Sequence, residues 1–498
     1  MIAAGIDIGS SSVKVALLDI STGENVASAT FPKGVEQTIN APEKGWAEQA
    51  PSMWWENAMK ALAEAVKESG RPASEIATIG ITYQMHGLVM LDKEGSCLRD
   101  SIIWCDSRAV EIGNKALSDL GRQKALEHLL NSPGNFTASK LKWVKDNQPE
   151  LFAKMDKFML PGDYIFYKFT GDTSTTMSGL SEGILWDYKT NSVAQMVTDL
   201  YGIDQSAIPH YTASITVQGK VDAEASKETG IKEGTPIAYR AGDQPNNAFS
   251  LNVLDDGEIA ATGGTSGVIY GVTDKPIYDP LSRINTFIHV NHQAGTPRYG
   301  VLLCINGIGI ANSWMRHNLA PDLDYNQMND AAASVPAGSD GVLVLPFGNG
   351  AERMLENRYT GLCIENLDLN RYDRSTVLRA VQEGIAFSFR YGLDIMRECG
   401  IHPNVIRAGK ANMFLSPIFR QTLSDICNVE IELYNTDGAL GAARGAAMGS
   451  GHYSSRQQTF SSLEVLERVK PDQNSRKTLD EAYAEWKKLL ERKLADIK

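Results

Sequence analysis

The sequence predicts an α/β protein of at least two domains, each carrying a hairpin of phosphate-binding type, and three observations carry that reading. At 498 residues the chain is longer than one hydrophobic core serves, so it is expected to divide. Short apolar strand patterns alternate with helix-length ones. Several pass from strand through a glycine loop into a helix, as at the ligand-binding edges of open α/β sheets. Finally, residues 2–20 (IAAGIDIGSSSVKVALLDI) and residues 258–272 (EIAATGGTSGVIYGV) both read as strand, small-residue turn, strand. Two such hairpins about half a chain apart suggest an internal duplication.

Between those hairpins lies the stretch the chain is organised around, residues 240–267 (RAGDQPNNAFSLNVLDDGEIAATGGTSG). Turns made of small residues leave backbone N–H groups uncovered, and such a concavity attracts phosphate. Asp243 follows an apolar run and a glycine, close upstream of the second hairpin, where a base could face the phosphate. The stretch therefore reads as a phosphotransferase site.

Bulk composition excludes several classes. Apolar content of 43% and charged content of 22% are those of an ordinary globular protein. A net charge of −12, with no basic block, argues against nucleic acid as a partner. Six cysteines stand singly at 97, 105, 304, 363, 399 and 427, so neither zinc nor disulfides are expected and a cytoplasmic setting fits. No signal-peptide pattern and no run of eighteen apolar residues occurs, so no membrane association is expected.

Along the chain, residues 51–70 predict a helix closed by Gly70. A strand over 76–82 then runs into Gln84-Met85-His86-Gly87, where His86 is a candidate hydroxyl ligand or a packing residue. Trp104, Asp106 and Arg108 at the next strand end could form a sugar-binding kit, with an aromatic face for C–H surface and charged groups for hydroxyls. The same spacing also suits an Asp cap paired with Arg. Residues 135–147 predict a helix, 160–190 a loop lining a cleft, and 201–236 turns and short strands. In the second half, Asn306–Gly309 opens a helix, Gly348–Arg353 reads as an exposed loop, and Ser375–Arg397 as a long helix. Gly409–Asn412 follows a strand. Residues 438–451 form a small-residue helix suited to close packing, and 477–498 an amphipathic helix with one apolar stripe.

Taken together these residues resemble the FGGY family of carbohydrate kinases over nearly the whole chain. The resemblance rests on Gly5-Ile6-Asp7-Ile8-Gly9, Thr137 through Lys140-Leu141 to Trp143, Gly242-Asp243, Gly264-Thr265-Ser266-Gly267 and Ala380–Gly384, in that order. It implies two ribonuclease H-like domains of the actin and hexokinase type with a cleft between them: residues 1–245 for the sugar and first phosphate loop, 246–475 for the nucleotide, and 476–498 as a terminal helix. It implies ATP and Mg2+, with Asp243 as the base and Asp7 and Asp243 holding the metal largely through water. Met85, His86, Trp104, Asp106 and Gln244 would meet the sugar. Gly9, Ser10, Ser11, Lys14, Gly264 and Thr265 would approach the phosphates, while Gly309, Gly409 and Asn412 would line the nucleotide.

Within the family, Gln84–Gly87 followed by Trp104, Asp106 and Arg108 is most similar to members acting on D-xylulose. Ribulose, gluconate and glycerol remain alternatives, as do a nucleotide-dependent binding protein on the same fold and a homodimeric state. Two departures stand out. Gln244 replaces a frequent Asn, and the turn Gly409–Leu415 before Ser416-Pro417 is longer and poorer in glycine than the family's.

Overall fold

The computed structural model describes residues 1–497. Its first sheet contains β1 (Ile2–Ile8), β2 (Val13–Asp19), β3 (Asn25–Phe31), β4 (Ile76–Tyr83), β5 (Ile215–Lys220) and β6 (Pro236–Gly242) in the order β5-β6-β4-β1-β2-β3. β1, β2 and β3 form an antiparallel meander, and β1, β4 and β6 run parallel. The second sheet contains β7 (Glu258–Gly263), β8 (Gly267–Thr273), β9 (Asn285–Ile288), β10 (Tyr299–Ile305), β11 (Val405–Gly409), β12 (Glu430–Tyr434) and β13 (Val465–Val469), ordered β9-β10-β8-β7-β11-β12-β13. It repeats the plan of hairpin, third antiparallel strand and two parallel strands. The two hairpins the sequence singles out, β1–β2 and β7–β8, thus occupy equivalent places in two like sheets.

β1 shows how alternation builds the site. Ile2, Ala4, Ile6 and Ile8 face a core shared with Trp54, Ala58 and Leu62 of α1 (Pro51–Ser69). Ala3 and Gly5 face the other way, onto α4 (Gly438–Gly449), numbered after α2 (Asp243–Ser250) and α3 (Arg374–Glu398). That helix can approach because both surfaces are bare. A Cβ on Gly5 would lie 1.8 Å from the Ala439 carbonyl, and one on Gly80 2.1 Å from that of Ala442. Gly445 and Gly449 are likewise pressed onto Tyr239 and Ala238. Helix 438–449 therefore returns from the far end of the chain to cover the first sheet. Asp7, next after Gly5 on the same face, meets its N-terminus.

α3 is the central helix of the second domain, and a Cβ on its Gly384 would lie 2.1 Å from the Val344 carbonyl. The terminal helix α5 (Gln473–Ala495) docks there too, its buried Trp486 donating Nε1–H to the same carbonyl at 2.8 Å. It starts before Lys477 because the Asp472 side chain accepts from Asn474 N–H.

Residues 160–190, expected as a loop, contain two helices. Pro161–Thr170 begins at a proline with the Asp163 carboxylate on the Leu160 N–H, and Met177–Glu182 is capped by Thr176. The expected turn region 201–236 likewise holds the Asp222-capped helix Ala223–Thr229. In both regions capping residues were read as turn residues, which the same side chains also favour. Among the described residues no helix is long and apolar enough to cross a membrane.

The domains meet along β9. Asn131 donates to the Thr286 carbonyl at 2.7 Å and accepts from its N–H at 2.9 Å. Ser178 donates to the Ile288 carbonyl at 2.8 Å, while the Ile288 N–H donates to Ser181 at 3.0 Å. Side chains of the first domain thus satisfy the outer edge of this strand as a further strand would.

Candidate functional site

Each hairpin turn is shaped from behind. In the first, the carbonyls of Gly9 and Ser10 accept from the side chains of Gln37 and Gln49 at 2.8 and 2.7 Å, and that of Ser11 accepts from the Gln37 N–H. With those carbonyls occupied, the turn has N–H groups and serine hydroxyls left to offer a phosphate. The Trp104 indole N–H points at the Ser10 hydroxyl, 3.5 Å away. In the second turn Gly264 is half-buried and Thr265 exposed.

Gly309, expected to line the nucleotide, is used in packing: a Cβ there would lie 2.0 Å from the Gly264 carbonyl. Across the sheet, Asn412 is exposed in the left-handed region at φ 52°, and its amide approaches the position of a Gly264 Cβ to 3.8 Å. Gly409 ends β11 with open space where a side chain would be. Gly264, Gly409 and Asn412 therefore border one region of the second domain.

Three distant segments bring carboxylates together. Asp7 is the penultimate residue of β1, in register with Lys14. Asp243 opens α2, and Asp437 caps α4, accepting from the Leu440 N–H at 3.0 Å. A Cβ on Gly438 would lie 2.3 Å from Asp7 Oδ2, and the Asn246 amide of α2 donates to the Gly438 carbonyl at 2.9 Å. Lys14 donates to Asp437 at 2.6 Å. Burial and the charges of Asp243 and Asp437 push the Asp7 carboxyl up to about 7, against the pull of Lys14. Burial raises Asp243 to about 6, opposed by hydrogen bonds from the backbone and side chain of Gln244. Gln244, expected at the sugar, directly follows this carboxylate, and its side-chain oxygen is buried without a hydrogen-bond partner in the protein. Asp437 was missed because nothing local in the sequence reveals that it pairs with Lys14.

Beside Asp243 lies a second group of side chains. A Cβ on Gly242 would touch Met85 Cγ at 2.5 Å and Glu182 Oε2 at 2.6 Å. Met85 is buried, and His86 holds φ 63°. The His86 ring stands edge-on to Phe136, with centroids 4.6 Å apart, and 5.6 Å from Phe287. Burial and Lys140 hold its pKa down to about 3, so the ring is neutral. Lys140 is fully buried and donates to the carbonyls of His86 and Ile103 at 2.8 and 3.0 Å. From the other domain, Arg353 stacks over Phe136 at 5.0 Å and donates to Asn285 at 2.7 Å. The loop it occupies gave no sign in sequence of reaching across.

Asp106 requires a correction. It was expected to meet sugar, yet it has no exposed surface. Its oxygens accept from Arg108 at 2.7 to 3.0 Å and from the Ala47 N–H at 2.6 Å. Arg108 in turn pairs with Glu48 at 2.7 Å and lies 3.8 Å over the Trp46 ring. The ion pair with Arg108 is the part of the alternative the structure shows: the following helix, Val110–Leu120, starts after Ala109 with no side-chain cap, and only Trp104 of the trio, half exposed, faces outward.

A cleft holding two anion-type turns and a carboxylate beside a cluster of hydrogen-bonding groups suits phosphoryl transfer to an alcohol. Comparison agrees: residues 2–250 match the N-terminal domain, and 259–450 the C-terminal domain, of the FGGY family of carbohydrate kinases. The chain belongs to this family. It is an ATP-dependent sugar kinase built from two ribonuclease H-like domains. It is 29% identical to the xylulose kinase of Haemophilus influenzae, over 97% of this chain and 98% of that protein. The xylulose kinase of Bacillus subtilis is 30% identical, with 91% and 89% covered. The crystal structure of xylulose kinase from Rhodospirillum rubrum superposes with a TM-score of 0.88 at 26% identity, covering 99% of each chain. That of gluconate kinase from Lactobacillus acidophilus superposes with a TM-score of 0.89 at 23% identity, covering 99% and 98%.

Proposed function

We propose that this FGGY kinase phosphorylates a ketopentose, D-xylulose to D-xylulose 5-phosphate, with Asp243 as the general base. The observation that carries the reading is the placement of Asp243, half-buried at the start of α2 between the Met85–His86 group and Asp7 of the first hairpin. The acceptor hydroxyl gives its proton to the Asp243 carboxylate as its oxygen bonds to the γ-phosphorus, and the bond to the β,γ-bridging oxygen breaks, releasing ADP. Met85 and His86 orient the sugar. Ser10, Ser11, Lys14, Gly264 and Thr265 receive the phosphates, and Gly409 and Asn412 border the nucleotide.

Among the described residues no three His, Cys, Asp or Glu side chains converge as a metal cage. Two neighbouring carboxylates nonetheless suit Mg2+, which keeps most of its waters and takes its other ligands from phosphates. Asp7 and Asp243 would hold it, and when bound it would neutralise charge on the phosphate oxygens. Residues 1–245 would carry the sugar, 246–475 the nucleotide, and the enzyme would work in the cytoplasm.

A second reading, a sugar acid as acceptor, is favoured by Arg353. Among the described residues it makes no ion pair with an acidic side chain, and it lies beside Phe136 and His86. A coupled ADP-release assay over D-xylulose, L-xylulose, ribulose, gluconate and glycerol tests both readings. The highest kcat/KM should fall on D-xylulose, and preference for gluconate would transfer the assignment to the second. ATP turnover that no added alcohol stimulates would overturn both.

A further inference from the structure

We propose that Glu182 is the positioning residue of the sugar site, fixing His86 in the one tautomer that offers Nε2 as a hydrogen-bond acceptor to a sugar hydroxyl. This rests on the reading of the cleft as a sugar-kinase site.

The geometry is a double grip. The His86 N–H donates to Glu182 Oε1 at 3.2 Å, and His86 Nδ1 lies 3.0 Å from the Glu182 backbone carbonyl. A carbonyl can only accept, so Nδ1 carries the hydrogen and Nε2 of the neutral ring is left with a bare lone pair. The His86 carbonyl is held by Lys140 at 2.8 Å. With N–H, C=O and Nδ1 all engaged, the residue is kept in a left-handed backbone conformation that a non-glycine adopts only when its surroundings impose it. The remaining nitrogen accepts and cannot donate, so it selects a ligand group that donates, as a hydroxyl does.

Glu182 suits this role because it cannot move independently. It ends the helix Met177–Glu182, is fully buried, and lies on a segment that Ser178 and Ser181 fasten to Ile288 of the second domain. Its Oε2 has no partner in the protein and lies against Gly242, one residue before the base. A buried carboxyl oxygen without a partner is costly, and packing alone gives no reason to keep it. One residue thus abuts the position before the base with its side chain, holds the histidine's N–H with the same carboxyl and its ring through the backbone carbonyl, and depends for its place on the second domain.

The test begins with the unaltered enzyme. Imidazole 15N spectra should show His86 protonated at Nδ1 and bare at Nε2, and a proton on Nε2 overturns the proposal. Kinetics then separate positioning from mere stability. Glu182→Ala should raise the ketose KM about tenfold while the ATP KM stays within about twofold. Glu182→Gln keeps an oxygen for the His86 N–H and should stay within about threefold of the parent on both. A ketose KM unchanged in Glu182→Ala, or equal losses on both substrates in both variants, overturns it. If the unaltered enzyme turns over no sugar, sugar acid or polyol, the kinase reading fails instead, and the tautomer result still decides the geometry.

Discussion

Asp7 and Gly438, from opposite ends of the chain, lie so close that a Cβ on Gly438 would stand 2.3 Å from the Asp7 carboxylate. Gly438→Ala should therefore displace Asp7 while α4 keeps its packing through Gly445 and Gly449. The expected loss in kcat/KM for MgATP is roughly 10- to 100-fold, as for other small displacements of a reacting constellation. Thermal unfolding should move little. The check is a MgATP titration beside a melting curve, and unchanged kinetics would show that Asp7 tolerates the added methyl.

Replacing Asp243 by Asn keeps its size and removes its basicity. Transfer should fall by about 10²- to 10⁴-fold, the usual contribution of a general base. Binding of a non-hydrolysable ATP analogue, read by calorimetry, should stay close to that of the parent. Turnover near the parent level would remove Asp243 as the base.

These residues also show what was legible in the sequence. The two hairpins could be read because strand, small-residue turn and strand are local features, and the closing Gly70 of α1 is local too, in the left-handed region at φ 65°. Asp437 could not, since its importance lies in Lys14, a partner near the other end of the chain. The helix behind it read only as small-residue packing, which it also is. Trp104, Asp106 and Arg108 were visible as a cluster, but spacing does not say whether an Asp serves a ligand or the arginine beside it. Glu182 lay in a stretch whose glycines, serines and threonines read as loop. Capping hydrogen bonds turned the same residues into a helix.

Asn131 and Thr286 make the most specific contact between the domains. Asn131→Ala would leave the N–H of a buried strand edge unpaired, while the carbonyl would keep only the bond from the Tyr188 hydroxyl at 3.2 Å, at a cost of about 1–3 kcal/mol. Asn131→Asp should be worse, because a carboxylate can accept from the Thr286 N–H but is repelled by its carbonyl. Chemical denaturation of the three proteins checks the order, and equal stability of the two variants would argue against paired bonds. If the contact also limits opening of the cleft, small-angle scattering of Asn131→Ala should give a larger radius of gyration.

The raised carboxyl of Asp243 makes activity and stability depend on pH in opposite directions. Its folded-state pKa is about 6 against a usual 3.8. A base must be ionised, so kcat/KM should fall as pH drops through about 7 to 6, where Asp7 and then Asp243 take up protons. Stability runs the other way. A carboxyl whose pKa is raised on folding contributes fully below its unfolded value, and that contribution is lost as pH rises through the folded one. At pH 8 the ionised side chain therefore costs on the order of 2 kcal/mol, after allowing for screening at the open side of the cleft. Asp243→Asn removes that cost and also relieves Asp7 of a neighbouring charge. The inactive variant should accordingly be the more stable protein at pH 8, with the difference small near pH 4 and gone below about pH 3. Denaturant midpoints measured across that range decide it, because a pH-independent difference would mean that the carboxyl titrates at its ordinary value.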